Sequence, residues 1–223
     1  MAQPKKIARV SLFGSRNDDG VSFDPTRDIP SLTGKVILIT GAAGGLGRQM
    51  AVQLARYGRP ARLYIADLPR KEGPKKELLH SIAREAYGEV SKPEDIKITS
   101  TPSELRYLNL DLTLFESVHK CASDIAAREE RLDILVLNAG TMRVAAGTTE
   151  EGYEVHFGLN YLGHALLARL LVSMMVRTKQ KPGADVRIII VSSEKHAVAP
   201  EGGIRFDRLK TGCAEMVRFE LFC

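Results

Sequence analysis

The sequence contains few cysteines, and their spacing excludes two common uses of this residue. Cys121, Cys213 and Cys223 are widely separated and odd in number. They match neither the paired framework of a disulfide-rich secreted protein nor the closely spaced ligands of a zinc site. A reducing compartment is therefore expected, and we predict a cytoplasmic protein.

Long hydrophobic runs are also absent. The most apolar helical stretch, residues 165–176, contains Arg169 and is shorter than the roughly 20 residues that a bilayer-spanning helix needs. Residues 1–14 are slightly basic but lack the apolar core of a secretory signal. The sequence thus predicts no membrane span.

Charge of one sign does not dominate the chain. It has 32 basic and 27 acidic residues, a net charge of +5, and its densest basic spots are Lys75-Lys76 and residues 179–181. No aromatic residues interleave with these spots, so a nucleic-acid partner has no support. The five histidines are too dispersed for a metal site, and we expect surface or packing roles for His80, His119, His156, His164 and His196.

The chain is long enough for one domain with a substantial core, since it has 223 residues of which 44% are hydrophobic. Residues 1–32 show no sustained period and are interpreted as an N-terminal arm. Residues 33–197 alternate between strand-like and helix-like patterns and form the predicted domain. Residues 198–223 contain no further strand–helix unit and are interpreted as an irregular tail.

Within the domain, short β-branched runs alternate with helical patterns. The predicted strands cover residues 35–40, 62–67, 105–110, 132–137 and 186–191. The predicted helices cover residues 49–57, 71–87 and 114–128, with a longer one within 149–178. Connections of this length indicate right-handed crossovers between parallel strands. The sequence therefore predicts a doubly wound α/β fold with about five parallel strands.

A glycine-rich turn joins the first strand to the first helix. It reads T-G-x-x-x-G-x-G and contains Gly41, Gly45 and Gly47. Glycines let the backbone approach a ligand, and the free N–H groups of the following helix favour a pyrophosphate. Asp67 closes the second strand about 20 residues later, a spacing at which a carboxylate can bind an adenosine ribose. These features together predict a dinucleotide site.

This glycine spacing resembles that of the short-chain dehydrogenase/reductase family, and further motifs agree over residues 33–197. The segment Leu110-Asp111-Leu112 after the third strand looks like the one that carries the family's adenine-contacting acid. Asn160 looks like the active-site asparagine, and Ser193 matches the catalytic serine, with Ser192 as the alternative. The cofactor-binding set implied by the resemblance is Gly41, Gly45, Leu46, Gly47, Asp67, Asp111, Leu112, Asn138, Ala139 and Gly140. Gly-His after Asn160 and His196 after the serines are similar to the retinol-dehydrogenase-like branch.

The resemblance implies hydride transfer between a nicotinamide cofactor and a small alcohol or carbonyl substrate. An acid at Asp67 favours NAD, because it would repel the ribose phosphate of NADP. Arg48 and Arg70 are close in sequence and are able to take a phosphate, so NADP is the alternative.

One family element is missing from the sequence. The resemblance implies a Tyr-x-x-x-Lys pair after the serine, in which the tyrosine transfers the proton and the lysine lowers its pKa. No tyrosine follows Tyr161, and the segment where the pair is expected is occupied by residues 213–223 with Phe219 and Phe222. Tyr153 and Tyr161 are poor substitutes, and Lys210 has no tyrosine partner in the motif.

This departure leads to three functional hypotheses. The chain is an oxidoreductase by lineage with little or no turnover, a non-catalytic dinucleotide-binding module, or a truncated product that does not fold stably. If the family's C-terminal strands and helices are missing, the fifth strand becomes a sheet edge. An apolar patch that promotes homo-oligomers is then expected at Leu166, Leu167, Leu170, Leu171 and Met174.

Overall fold

The computed structural model describes residues 22–88, 102–142, 145–193 and 203–212. Within these ranges, five strands form one sheet. They are β1 (Val36–Thr40), β2 (Arg62–Asp67), β3 (Glu104–Asn109), β4 (Ile134–Leu137) and β5 (Arg187–Ile190). All neighbouring strands are parallel, and their order is β3-β2-β1-β4-β5. The predicted doubly wound α/β fold is confirmed.

The strand order reverses between β1 and β4, so the connections on either side of this point run to opposite faces of the sheet. In open α/β sheets a crevice forms at the carboxyl ends of the strands where the order reverses. Leu38 of β1 pairs with Tyr64 of β2 on one side and with Leu135 of β4 on the other. The topology therefore fixes where a site is expected.

The helices cover both faces of the sheet. They are α1 (Pro25–Asp28), α2 (Gly45–Gln53), α3 (Glu72–Tyr87), α4 (Phe115–Ala126), α5 (Val155–Phe157) and α6 (His164–Lys179). Two π-helical turns, Leu54–Gly58 and Gly158–Gly163, extend α2 and join α5 to α6. A 3-10 turn covers Phe206–Arg208. Helix α2 begins four residues before the predicted start because the last glycines of the loop already belong to its first turn.

Two apolar layers sandwich the central strands. Ile37 and Ile39 of β1 pack with α2 and α3, whereas Leu38 packs with α4 and α6. Side chains of a strand point alternately to opposite faces, so a run that is apolar at every position is buried on both sides. Every residue of β1 is buried, as the unbroken apolar run predicts.

The helix that carries Asn160 is better packed than the sequence indicated. The continuous helical segment Val155–Lys179 has 25 residues and satisfies length and hydropathy criteria for a membrane span, so the expectation of a stretch too short to span is wrong. A core helix meets the same criteria, and this one packs against the sheet. The predicted exposure of Leu167, Leu171 and Met174 is also wrong, because all three are buried against α4 and the sheet.

Strand β5 is the exposed edge that the sequence predicted. Among the described residues it pairs only with β4. Its isoleucines, Ile188, Ile189 and Ile190, are 44%, 43% and 72% exposed. A burial pattern without any buried position contrasts with the fully buried β4.

The segments beside the sheet are described in part. Leu32 is buried, and its amide donates to the carbonyl of Gly58 at 2.7 Å, which attaches residues 22–32 to the end of the first crossover. The carbonyl of Leu209 accepts from the amide of Glu154 at 2.8 Å. Residues 1–21, 198–202 and 213–223 of the predicted arm and tail lie outside the described residues.

Gly163 tests how closely the long helix packs at the crevice. A Cβ atom at this position would lie 2.4 Å from the carbonyl oxygen of Leu112, and neither backbone can move independently of its element. We expect Gly163→Ala to lower the free energy of unfolding by about 1–3 kcal/mol, measured by urea denaturation. Gly73→Ala is the control, since nothing lies within 4 Å of its added Cβ and alanine favours a helix by up to about 1 kcal/mol. Equal destabilisation by both variants would contradict this account.

Candidate functional site

A crevice of about 630 Å3 lies at the carboxyl ends of β1, β2 and β4. It is bordered by the turns that follow these strands and by the start of α2. Its lining includes nine of the predicted cofactor-binding residues: Gly41, Gly45, Leu46, Asp67, Asp111, Leu112, Asn138, Ala139 and Gly140. The topology thus brings together segments that are up to about a hundred residues apart in the chain.

The glycine loop supplies the floor of the crevice. Gly41 and Gly45 have φ angles of 66° and 52°, in the left-handed region that side chains disfavour. A Cβ on Gly41 would also lie 2.7 Å from the Cα of Ala139. Helix α2 starts at Gly45 without a side-chain cap on its amides, so its first N–H groups remain available to an anion.

Gly47 has a packing role and does not line the crevice. A Cβ at this position would lie 2.4 Å from the carbonyl oxygen of Gly41 and 2.5 Å from Nδ2 of Asn138. The first turn of α2 therefore packs directly on the glycine loop and on the segment after β4.

Asp67 ends β2 at the rim of the crevice, as the sequence predicted for a ribose-binding acid. Its Oδ2 accepts from the amide of Ala43 at 2.9 Å, and its Oδ1 accepts from the amide of Leu68 at 2.9 Å. The carboxylate is thereby held toward the glycine loop.

The two arginines considered as phosphate ligands occupy different places. Arg48 donates to Glu85 at 2.7 Å and to Ser81 at 3.3 Å on α3, away from the crevice. Arg70 lines the crevice, as Asp67 does. Burial raises the pKa of Tyr107, and Arg70 opposes this shift.

Asp111 and Leu112 form the turn after β3. Oδ1 of Asp111 accepts from the amide and the hydroxyl of Thr113 at 2.9 and 2.6 Å, which fixes the turn before α4. Leu112 is buried between the crevice and Gly163 of the long helix.

Thr40 connects the end of β1 to the segment after β4. Its fully buried hydroxyl oxygen accepts from the amides of Asn138 and Ala139, both at 2.9 Å. The side-chain amide of Asn138 in turn donates to the carbonyl of Thr40 at 3.0 Å. The two amides that follow β4 are thus satisfied by a side chain.

Asn160 lies in the π-helical turn Gly158–Gly163. Its Oδ1 accepts from the amide of Thr141 at 2.9 Å, and its Nδ2 donates to the Thr141 carbonyl at 3.1 Å. Thr141 lines the crevice, whereas Asn160 contacts Thr141 and does not line it. π-Helical turns are rare and occur frequently at functional sites.

The two candidate serines follow strand β5, at the side of the crevice that Val191 lines. Ser192 and Ser193 are exposed and follow Val191, which lines the crevice. No tyrosine is among the residues that line it. Tyr161 is 59% exposed and packs its ring on Phe157.

Tyr153 contacts Lys210, the lysine that has no tyrosine partner in the family motif. Nζ of Lys210 is 3.4 Å from the centre of the Tyr153 ring and 3.0 Å from the carbonyl oxygen of Glu151. Lys210 therefore contacts the face of the Tyr153 ring and not its hydroxyl. Residues 213–223, including Phe219 and Phe222, lie outside the described residues.

His164 is the polar residue that the sequence analysis missed. It is 6% exposed, with Nε2 2.9 Å from the hydroxyl oxygen of Thr40 and Nδ1 3.0 Å from the carbonyl oxygen of Asn160. Burial lowers the pKa of its imidazole, and the Asn160 carbonyl partly opposes the shift. Of the two expected roles, surface and packing, His164 therefore does not have the surface role. Its position four residues after Asn160 was the available signal. No cluster of metal-ligating side chains occurs in the described ranges.

The sheet order, the glycine turn and the crevice define a Rossmann-type fold for nucleotide binding. The family model "short chain dehydrogenase" matches residues 35–218. The chain belongs to the short-chain dehydrogenase family, whose members are oxidoreductases.

Curated relatives agree with this assignment and with the resemblance to the retinol-dehydrogenase-like branch. An oxidoreductase of Schizosaccharomyces pombe is 41% identical over 184 residues, which cover 82% of this chain and 49% of that protein. Human retinol dehydrogenase 13 is 36% identical over 179 residues, which cover 80% and 46%. The chain spans about half the length of the curated relatives it matches.

Solved structures show the same fold at lower identity. A protein of Mycobacterium paratuberculosis superposes with a TM-score of 0.60 and 24% identity, covering 86% of this chain and 60% of that chain. A metagenomic short-chain oxidoreductase in complex with NADP has a TM-score of 0.51 and 22% identity, covering 73% and 63%. At these identities the likeness concerns the fold alone.

The Thr40 hydroxyl offers a direct test of the site's construction. We expect Thr40→Val to lower the free energy of unfolding by about 2 kcal/mol or more, because two buried amides lose their acceptor. Thr40→Ser keeps the hydroxyl and loses one methyl group, for an expected cost of about 1 kcal/mol. Urea denaturation at neutral pH measures both variants. Equal costs for valine and serine would show that the hydroxyl does not hold the two amides.

Proposed function

We propose that the site binds a nicotinamide dinucleotide for hydride transfer between the nicotinamide and an alcohol or carbonyl carbon. The observation that carries this proposal is the combination, in one crevice, of a side-chain-free glycine loop with the carboxylate of Asp67. The carboxylate binds the loop amide of Ala43, and it also lines the crevice at the strand end where an acid can accept from a ribose.

Each part of the crevice suits one part of such a ligand. The uncapped amides at Gly45 and Leu46 suit the pyrophosphate. Asp67 suits the adenosine ribose, and the turn at Asp111 and Leu112 suits the adenine. The segment from Asn138 to Gly140 would then lie beside the nicotinamide half. The dinucleotide supplies the hydride chemistry, and these residues bind and orient it.

NAD is the favoured cofactor, with NADP as the alternative. The Asp67 carboxylate can accept from two ribose hydroxyls, whereas a ribose phosphate would meet a negative charge. Arg48 donates to Glu85 of α3, so we do not propose it as a phosphate ligand. Arg70 lines the crevice and is the residue that favours the alternative.

The reacting groups of this chain are incomplete compared with the family pattern. Ser193 is proposed to hydrogen-bond the reacting oxygen, and Asn160 is proposed to support the proton relay. The 223 residues contain no tyrosine after Tyr161, and neither Tyr153 nor Tyr161 lines the crevice. We therefore propose dinucleotide binding with little or no turnover for this chain, and oxidoreductase activity for its lineage.

A second candidate is a non-catalytic module that senses a dinucleotide or associates with a relative. The intact glycine loop and Asp67, together with a crevice without a lining tyrosine, favour it. A broad, non-cooperative melt would instead favour a product that does not fold stably. A cytoplasmic location, the division into residues 1–32, 33–197 and 198–223, and homo-oligomer formation remain proposals.

Calorimetric titration with NADH and NADPH tests the cofactor assignment. We expect NADH to bind the wild-type chain more tightly. Asp67→Asn should weaken NADH binding by about tenfold to a hundredfold, because a hydrogen bond to a charged group contributes roughly 1.5–3 kcal/mol. Arg70→Gln is the matched control and should leave NADH binding unchanged. Absence of binding at millimolar NADH would reject the proposed site, and a selective loss of NADPH binding in Arg70→Gln would favour NADP.

A hydride-transfer assay tests the proposed loss of turnover. The wild-type chain is incubated with NADH and a panel of aldehydes and ketones, and the absorbance of NADH is followed. We expect no turnover above a no-enzyme control, because no crevice tyrosine is available to deliver the proton. Turnover that Ser193→Ala abolishes would show that another group supplies this proton and that our account of the missing pair is wrong.

A further inference from the structure

The hydroxyl of Thr40 has a determined hydrogen-bond direction. A hydroxyl provides one donor and two acceptor lone pairs. The amides of Asn138 and Ala139 occupy both lone pairs at 2.9 Å. The remaining neighbours are Nε2 of His164 at 2.9 Å and the carbonyl of Val136 at 3.4 Å. The hydroxyl proton therefore points to the nearer one, and Nε2 must be an unprotonated acceptor.

The other ring nitrogen leads independently to the same protonation state. Nδ1 of His164 lies 3.0 Å from the carbonyl oxygen of Asn160. A carbonyl can only accept, so Nδ1 must carry the proton. A neutral ring with its proton on Nδ1 is the one form that satisfies both contacts. An imidazolium would direct a third N–H toward a hydroxyl oxygen whose lone pairs are already used.

The hydrogen bond between Nδ1 of His164 and the Asn160 carbonyl is related to the irregular hydrogen bonding of the π-helical turn. In a regular α-helix the amide of residue 164 would bond the carbonyl of residue 160. Here the His164 amide bonds the carbonyl of Tyr161, and the imidazole of the same residue takes the carbonyl of Asn160. The side chain thus replaces a backbone bond that the π-helical turn displaces.

Both ends of the crevice segment depend on this arrangement. The segment begins at Asn138 and Ala139, whose amides are bound by Thr40, and it ends at Thr141, whose amide and carbonyl are bound by the side chain of Asn160. His164 is the link between these two anchors. The amides of Asn138 and Ala139 donate to the Thr40 hydroxyl, which donates to Nε2 of His164. Nδ1 of the same ring then donates to the Asn160 carbonyl.

We propose that His164, as the neutral ring protonated on Nδ1, is a positioning residue that ties the end of β1 to the π-helical turn of Asn160. In this way it fixes the segment from Asn138 to Thr141 along the crevice. His164 does not line the crevice and is not proposed to touch the ligand. The effect on dinucleotide binding rests on the proposed function, whereas the protonation state does not.

Nitrogen-15 NMR of the histidine rings tests the protonation state directly. The wild-type chain is labelled at its histidines and recorded at neutral pH without any cofactor. We expect the His164 ring to show a protonated, pyrrole-type Nδ1 and an unprotonated, pyridine-type Nε2. The signal is assigned by through-bond correlation to the backbone, so no variant has to fold. A proton on Nε2, or on both nitrogens, would overturn the proposal.

Three substitutions separate the two contacts. His164→Asn places an amide nitrogen near the position of Nδ1 and keeps the bond to Asn160, and His164→Gln reaches the position of Nε2 and keeps the bond to Thr40. His164→Leu removes both. We expect the amide resonances of Ala139 to shift mainly in His164→Asn and those of Thr141 mainly in His164→Gln. Equal shifts in all three variants would mean that the ring only fills space.

The dinucleotide readout then distinguishes the two proposals. We expect His164→Leu to weaken NADH binding on the order of tenfold, with partial recovery in the asparagine and glutamine variants. If the wild-type chain shows the expected tautomer but binds no NADH, the proposed function fails and the positioning role stands. If NADH binds equally to wild type and to all three variants, the positioning role fails and the proposed function stands.

Discussion

The close approach between the glycine loop and the segment after β4 determines the geometry of the crevice. A Cβ on Gly41 would meet the backbone of Ala139, and a Cβ on Gly47 would meet Asn138 and the loop itself. Because no side chains separate these elements, β1 and β4 end side by side and helix α2 starts directly at the crevice. The Thr40 hydroxyl then binds the amides after β4. The other residues that line the crevice lie in the turns after the neighbouring strands.

The fold was predictable because its signal is local. An unbroken apolar run such as β1 is buried on both faces, and strands that alternate with helices form a parallel sheet. Five strands and the parallel architecture are confirmed. The position of the glycine loop and of Asp67 at the strand ends follows from the same alternation, and the crevice contains nearly all of the predicted lining residues. Their roles in binding and catalysis remain predictions.

What the sequence did not indicate depends on contacts between distant segments. Nothing local distinguishes Arg48 from Arg70, yet one reaches across to Glu85 and the other lines the crevice. The burial of Leu167 and Leu171 depends on helix α4, which packs on the same face of the sheet. The hydrogen bond between His164 and Thr40 joins residues 124 positions apart. A π-helical turn has no sequence pattern of its own, and this turn directs the imidazole toward Thr40.

The amide of Ala43 has a consequence for any sugar that enters the crevice. It already occupies one oxygen of Asp67, and the amide of Leu68 occupies the other. A ribose hydroxyl must therefore share these oxygens with the backbone donors. Each oxygen of an ionised carboxylate has a second lone pair, so the sugar is bound by an acid whose position the loop has already fixed.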